Sequence, residues 1–228
     1  MVSADVLAVV PARGGSVGLP GKNLAVFRGR PLVAHAVHTA LKAGLADVVV
    51  TTDDDDIAAA ARTEGARVVR RPAALATADS RTLPAVLHVL DVESTPDTTV
   101  VVLLQPTSPL RTVADVEECL SLHDDRPTGS VVQMTTEPGH HPLKSCLVVD
   151  GTVQPVRAWE DLESPRQQLP VAARPTGGLY LARARDLRSW GRFFVPEVRA
   201  QFVPPERALD VDTEDDLHRA REWAARRA

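Results

Sequence analysis

Short runs of aliphatic and β-branched residues, at 6–10, 48–52, 68–69 and 100–104, alternate along the chain with longer segments of helical periodicity. The runs are almost continuously apolar, as parallel strands covered on both faces tend to be. Between the first two, residues 31–45 place Leu32, Val33, Ala36, Val37, Ala40 and Leu41 at helical spacing, with Gly44 near the C-terminal end. Asp54, Asp55 and Asp56 open a second predicted helix at 57–64, at the end where acidic side chains are favoured, and Gly65 closes it. Further helices are predicted at 81–92, at 113–122 behind Thr112, and at 213–225. Strand and helix in this alternation predict an α/β fold, a doubly wound and mostly parallel sheet. Its ligand site is expected at the carboxyl ends of the strands.

The texture changes after Gly129. Pro138, Pro142, Pro155, Pro165, Pro170 and Pro175 interrupt short strand-like pieces such as 146–149. We read one domain over 1–228 carrying a β-rich extension with hairpins at about 139–194. Trp159, Trp190, Phe193 and Phe194 lie in or beside it. They form either a local core or a subunit interface, where aromatics are enriched. The interface reading makes this a dimerisation extension.

Composition narrows the function classes. The 228 residues are 44% hydrophobic and 25% charged with a formal net charge of −4, which argues against nucleic-acid binding through a basic face. Cys119 and Cys146 have no metal-ligand spacing, so neither a disulfide framework nor a zinc site is expected. No apolar run reaches membrane length and no basic leader precedes one, so a soluble, cytoplasmic protein is expected, with no membrane partner.

The first strand runs into "PARGGSVGLPGKN" (11–23), a loop of four glycines flanked by Arg13 and Lys22. It fails the P-loop pattern twice, with Ser16 where a glycine is required and Asn23 where a hydroxyl is required, and its glycine spacing fails the dinucleotide fingerprint. Two cations flanking exposed backbone N–H groups suit a triphosphate losing pyrophosphate, where charge builds on the leaving group. A plain glycine-rich connection with solvated charges accounts for the same residues. Near the other end, Asp210 and Asp212 stand two apart. On a strand both carboxylates would share one face with Val211 turned to the core, and hard oxygen ligands suit Mg²⁺. The alternative is that Asp212 only helps to open the last helix, for which Thr213 and Glu214 are also start signals.

The stretches "ARGGSVGLPGKNL", "TTDDDDIAAAA", "RRPAALAT" and "LLQPTSPLRT", with "HHPLK", "PRQQLP", "RPTGGLY" and "DVDTEDDL" further on, resemble in order and spacing the bacterial CMP-sialic acid synthetases, or N-acylneuraminate cytidylyltransferases. Motifs such as LQPTSPLR are shared with the wider cytidylyltransferase group, including the Kdo enzymes. The resemblance implies transfer of CMP from CTP to the anomeric hydroxyl of a sugar acid, with release of pyrophosphate and with Mg²⁺ (or Mn²⁺) as cofactor. It implies Ala12, Arg13, Gly14, Gly15, Lys22, Asn23, Arg71 and Thr82 at the nucleotide, with Asn23 and Arg71 meeting the cytosine ring. Gln105, Lys144, Arg166, Arg174, Tyr180, Phe193 and Phe194 are implied at the sugar acid, and Asp210 and Asp212 at the metal. It further implies Arg13, Lys22, Gln105 and Asp212 as the catalytic set and a homodimer that completes the sugar pocket. A turn residue and a surface arginine are the plain alternatives for Asn23 and Arg71. His140 and His141 are read as structural or pocket-rim residues, not as a metal pair.

The chain departs from the family pattern at three places. Val17 stands where a lysine is usual, Thr176 replaces an asparagine, and Arg81 adds a charge in "ADSRTLP" (78–84). A cytidylyltransferase for another acid, such as Kdo or a phosphonate, stays open, as does a nucleotide-binding module without turnover.

Overall fold

The computed structural model describes residues 6–136, 139 and 141–227. Seven strands form one sheet: β1 (Val6–Pro11), β4 (Asp47–Thr52), β5 (Arg67–Arg70), β6 (Val100–Leu104), β7 (Ser130–Thr136), β10 (Ala173–Arg183) and β11 (Val198–Phe202), in the order β11-β7-β10-β6-β1-β4-β5. Two small hairpins stand apart from it, β2 (Val26–Phe27) with β3 (Arg30–Pro31) and β8 (Cys146–Val149) with β9 (Thr152–Pro155). β1 pairs in parallel with both β4 and β6, β4 with β5, and β11 with β7, whereas β10 runs antiparallel between β6 and β7. The expected doubly wound, mostly parallel sheet is therefore observed.

Alternation along β1 builds both layers. Val6, Ala8 and Val10 pack against α1 (Leu32–Lys42), α2 (Asp55–Thr63) and α4 (Val113–Asp125), through Val33, Val37, Ile57 and Val116 among others. Leu7 and Val9 point the other way, toward Val86, Val89 and Leu90 of α3 (Thr82–Val92) and Leu187 of α6 (Ala184–Trp190). The expected helix starts are realised: Asp54 accepts from the N–H groups of Asp56 and Ile57, and Thr112 forms a capping box with Asp115.

Beyond Gly129 the fold departs from the sequence reading. β7, β10 and β11 belong to the central sheet, so the excursion from it ends near residue 172 rather than 194. The segment from 173 onward reads as irregular because β10 is interrupted at its own glycines. Gly177 has φ +82, and the register with β7 shifts between Pro175 and Tyr180. Within the excursion lie the β8–β9 hairpin and the short helix α5 (Trp159–Glu163). Leu147, Val148, Val153 and Trp159 are exposed there.

A third apolar cluster positions the end of the chain. Leu217, Ala220 and Ala224 of α7 (Glu214–Ala225) pack with Phe27, Leu32, Leu110 and Val211. Asp210 to Asp212 do not form the expected strand. Val211 is nonetheless fully buried, and its N–H donates to the Thr107 carbonyl at 2.8 Å, which ties this segment to the loop after β6.

Candidate functional site

Helical connections leave β1 and β6 in opposite directions across the sheet. Their carboxyl ends therefore open a crevice, the usual ligand position in such folds. A cleft of about 260 Å³ lies there, walled by the glycine-rich loop, the segment 80–82 before and into α3, and Gln105, Pro106 and Thr107 after β6. Arg13, Lys22, Asn23, Arg71, Thr82, Gln105 and Asp212, all expected at the nucleotide, sugar or metal, line it together.

Each of these side chains is held by a specific contact. Lys22 pairs with Asp212 at 2.8 Å, which joins the glycine-rich loop to the segment before α7. Gly18 sits so close to that segment that an added Cβ would lie 2.5 Å from the Asp212 carbonyl oxygen. The buried Asn23 amide donates to the Arg13 carbonyl at 2.8 Å, leaving its own oxygen as the remaining polar atom of the side chain. Arg71 is buried and donates to the Thr51 carbonyl at 2.8 Å. Burial pushes its guanidinium down to about 10 against the pull of Asp53, so the group stays charged at neutral pH. Arg13 reaches across the mouth to the carbonyls of Thr77 and Ala78. The buried Arg111 donates to the carbonyls of Gln105 and Gly178, fastening the end of β6 to β10.

Backbone N–H groups of the loop are less available than its glycines imply. Ala12 donates to the Thr51 carbonyl and Gly14 to the Asp53 carboxylate, both at 3.0 Å. Asp53 ends β4 beside the loop and captures the nearest donor. Gly15 is exposed at the tip, with open space beside it.

The expected metal pair is unequal. Asp212 is exposed, whereas Asp210 is half-buried, and burial raises its carboxyl above the usual range despite the Thr107 hydroxyl nearby. Its Oδ1 completes no well-formed hydrogen bond among the described residues. A buried carboxylate oxygen without a partner is the kind of group a cation satisfies. No group of three or more His, Cys, Asp or Glu side chains is placed to hold a metal among the described residues. Two carboxylates remain, a donor set that suits Mg²⁺ when substrate phosphates and water supply the rest.

Tyr180 stacks near Phe193 and Phe194, with ring centroids 5.2 and 6.0 Å away. Its phenol is pushed up by burial and then by the charge of Asp210, which places this aromatic group beside the acidic end of the site. Arg174 donates to the Ala208 carbonyl at 3.3 Å, two residues before Asp210. Lys144 and Arg166 do not line the cleft: within the excursion, Lys144 donates to the Leu162 carbonyl and Arg166 to that of Gly139. Buried His141 donates to the Pro170 carbonyl and accepts from the Leu143 N–H, a structural role; His140 lies outside the described residues.

Thr176, one of the three departures from the family pattern, is internal. It is buried, bonded to Gln133 Oε1 at 2.8 Å and accepts from the Gly178 N–H. Ser80 and Thr107 line the cleft although no role was expected of them. Thr107 was accessible to the rule that residues just past a central strand edge the crevice, while Ser80 carried no local signal. Cys119 is buried and its thiol pushed far up by that burial, which leaves it unsuited to nucleophilic catalysis. No helix among the described residues is long and apolar enough to cross a membrane.

Known proteins resemble this chain in sequence and in fold. Residues 7–177 match the family model described as cytidylyltransferase. An N-acylneuraminate cytidylyltransferase of Streptococcus agalactiae serotype V is 30% identical over 92% of this chain; the chain spans about half of that relative, 51% of its length. The CMP-N,N'-diacetyllegionaminic acid synthase of Legionella pneumophila is 31% identical, with 92% of each chain covered. A solved CMP:2-keto-3-deoxy-manno-octonic acid synthetase complexed with CTP superposes with a TM-score of 0.73 over 99% of this chain and all of its own, at 22% identity. On its sequence this chain belongs to the cytidylyltransferase family.

Proposed function

We propose that the protein transfers CMP from CTP to the anomeric hydroxyl of a sialic acid or related nonulosonate and releases pyrophosphate. The observation that carries this reading is the convergence of Arg13, Lys22, Asn23, Arg71, Gln105 and Asp212 on one cleft at the β1–β6 crevice. Base choice follows from the donors left over. With its amide nitrogen held at the Arg13 carbonyl by one N–H, Asn23 offers its oxygen, which accepts from cytosine's exocyclic amine and repels the carbonyl of uracil. Arg71, anchored on Thr51, keeps further N–H groups for the acceptor edge of the ring.

Lys22 and Arg13 offset the charge that develops on the departing pyrophosphate, Arg13 by exchanging the Thr77 and Ala78 carbonyls for phosphate oxygens. Gln105 holds sugar hydroxyls without adding charge. Asp210 and Asp212 would hold Mg²⁺, whose chemistry is to neutralise phosphate charge in such transfers. The remaining work is positioning, so no covalent nucleophile is required of the chain.

A homodimer accounts for what this chain does not bring to its own cleft. Lys144 and Arg166 sit on an excursion with exposed apolar residues, and in a two-fold pair such an arm meets the partner's surface. Arg174, Tyr180, Phe193 and Phe194 would complete the sugar pocket from within the chain. The test is pyrophosphate release with CTP and a panel of acids: N-acetylneuraminate, legionaminic acid, pseudaminic acid, Kdo and a phosphonate. Turnover confined to Kdo or the phosphonate would replace the proposed acceptor.

A further inference from the structure

We infer that Arg81 is a polyphosphate-binding residue, a cation delivered to the cleft from the start of α3 instead of from the glycine-rich loop. The inference rests on the nucleotide reading of the cleft above. Four cationic side chains line that cleft: Arg13, Lys22, Arg71 and Arg81. Three are engaged within the protein, Arg13 with the Thr77 and Ala78 carbonyls, Lys22 with Asp212, and Arg71 with Thr51. The Arg81 side chain has neither a hydrogen bond nor an ion pair with any described residue. An unpaired guanidinium on a cleft wall presents its full set of donors to an incoming anion.

The opposite wall explains the need for it. Between Arg13 and Lys22 the loop carries no other cation, and Val17 stands 77% exposed at the cleft. A nucleoside triphosphate brings about four negative charges. Lys22 already shares its charge with Asp212, and Arg71 is buried. Arg13 is bonded to Ala78 at 2.9 Å, so the segment that carries Arg81 is fastened beside the glycine-rich loop. Arg81 is the N-cap residue of α3, and the first turn of that helix contains no acidic side chain to neutralise it. Asp79, two residues earlier, does not line the cleft. Arginine binds phosphate oxygens through a two-pronged contact, which lysine copies in charge but not in shape.

Titration calorimetry on the full chain, with CTP and with cytidine, tests this. Arg81→Gln is expected to raise the Kd for CTP about tenfold, the usual scale for one hydrogen bond to a charged group. Binding of cytidine, which has no phosphate, should stay within about twofold, and Arg81→Lys should recover only the part of the loss that depends on charge. The affinity of wild type for CTP should also fall more steeply with salt than that of Arg81→Gln. Unchanged CTP binding in Arg81→Gln would overturn the inference, as would equal weakening of CTP and cytidine, or a rise confined to the KM of the sugar acid. Wild type that binds no CTP at all would overturn the nucleotide reading itself, a result distinct from these.

Discussion

Gly18→Ala should cripple turnover while leaving the fold in place. The added methyl would stand 2.5 Å from the backbone carbonyl oxygen of Asp212, where ordinary contact begins at 3.4 Å, so the two segments must part by about 0.9 Å. Both partners are backbone, and no flexible side chain can yield in their stead. Overpacking of this sort costs about 1–3 kcal/mol, and between two surface segments the lower half of that range applies. For a chain of this size about 1.5 kcal/mol lowers Tm by roughly 3–6 °C. Catalysis is more sensitive. Parting the loop from Asp212 pulls Lys22 away from its partner at 2.8 Å and moves phosphate ligands relative to one another. A misplacement near 1 Å costs on the order of 10²-fold in rate. Gly15→Ala is the internal control, because its Cβ meets nothing within 4 Å. That variant should stay within about 0.5 kcal/mol of wild-type stability, as surface substitutions do. Steady-state pyrophosphate release gives kcat/KM, and differential scanning fluorimetry gives Tm. Wild-type kcat/KM in Gly18→Ala, or an equal fall in Tm from Gly15→Ala, would refute the close-approach argument.

Three further outcomes are expected. Asp216 is held down at about 2: its slight burial opposes this, and hydrogen bonds from Thr213 and Arg219 outweigh it. Because the folded value is depressed, Asp216 stabilises the protein above the ordinary Asp range near 4, and that stability is lost as pH falls toward about 2. Asp216→Asn should therefore lower stability by about 1 kcal/mol at pH 7, with the gap from wild type closing in acid, as read by urea unfolding. Asp212→Asn should cut turnover at least about a hundredfold with Tm nearly unchanged, since Asp212 is exposed, whereas a fully active variant would return it to helix opening. Phe193→Ala with Phe194→Ala should raise the KM of the sugar acid well above any effect on CTP. Light scattering on the same samples should show a dimer for the wild type, and a fully active monomer would rule out a shared site.

The legible parts of the fold were those with strong local patterns. β1, β4 and β6 are buried on both faces and read as apolar runs, and Asp54, Thr112 and Thr213 mark helix starts that the structure realises. β7, β10 and β11 were not legible. They bury Ser130, Gln133, Thr135, Thr176 and Gln201, polar groups that bond to partners distant in sequence, such as Thr176 with Gln133 and Thr135 with Val203. The same holds for the site. A glycine-rich loop after a strand announces itself, and so does a polar residue directly after β6. Nothing local shows that Asp53 takes the Gly14 N–H, that Asn23 spends its amide on Arg13, or that Ser80 and Arg81 face the loop. Those relations come from chain crossings, which a linear pattern does not encode.

Phosphorus NMR of a single reaction mixture tests the central claim most directly. With enzyme, CTP, Mg²⁺ and N-acetylneuraminate, the three CTP resonances should give way to one phosphodiester signal of the CMP-sugar and one of pyrophosphate, in equal molar amounts. UTP in place of CTP should leave the spectrum unchanged over the same period. Orthophosphate without a phosphodiester, or CTP left intact with every acid supplied, would contradict the account.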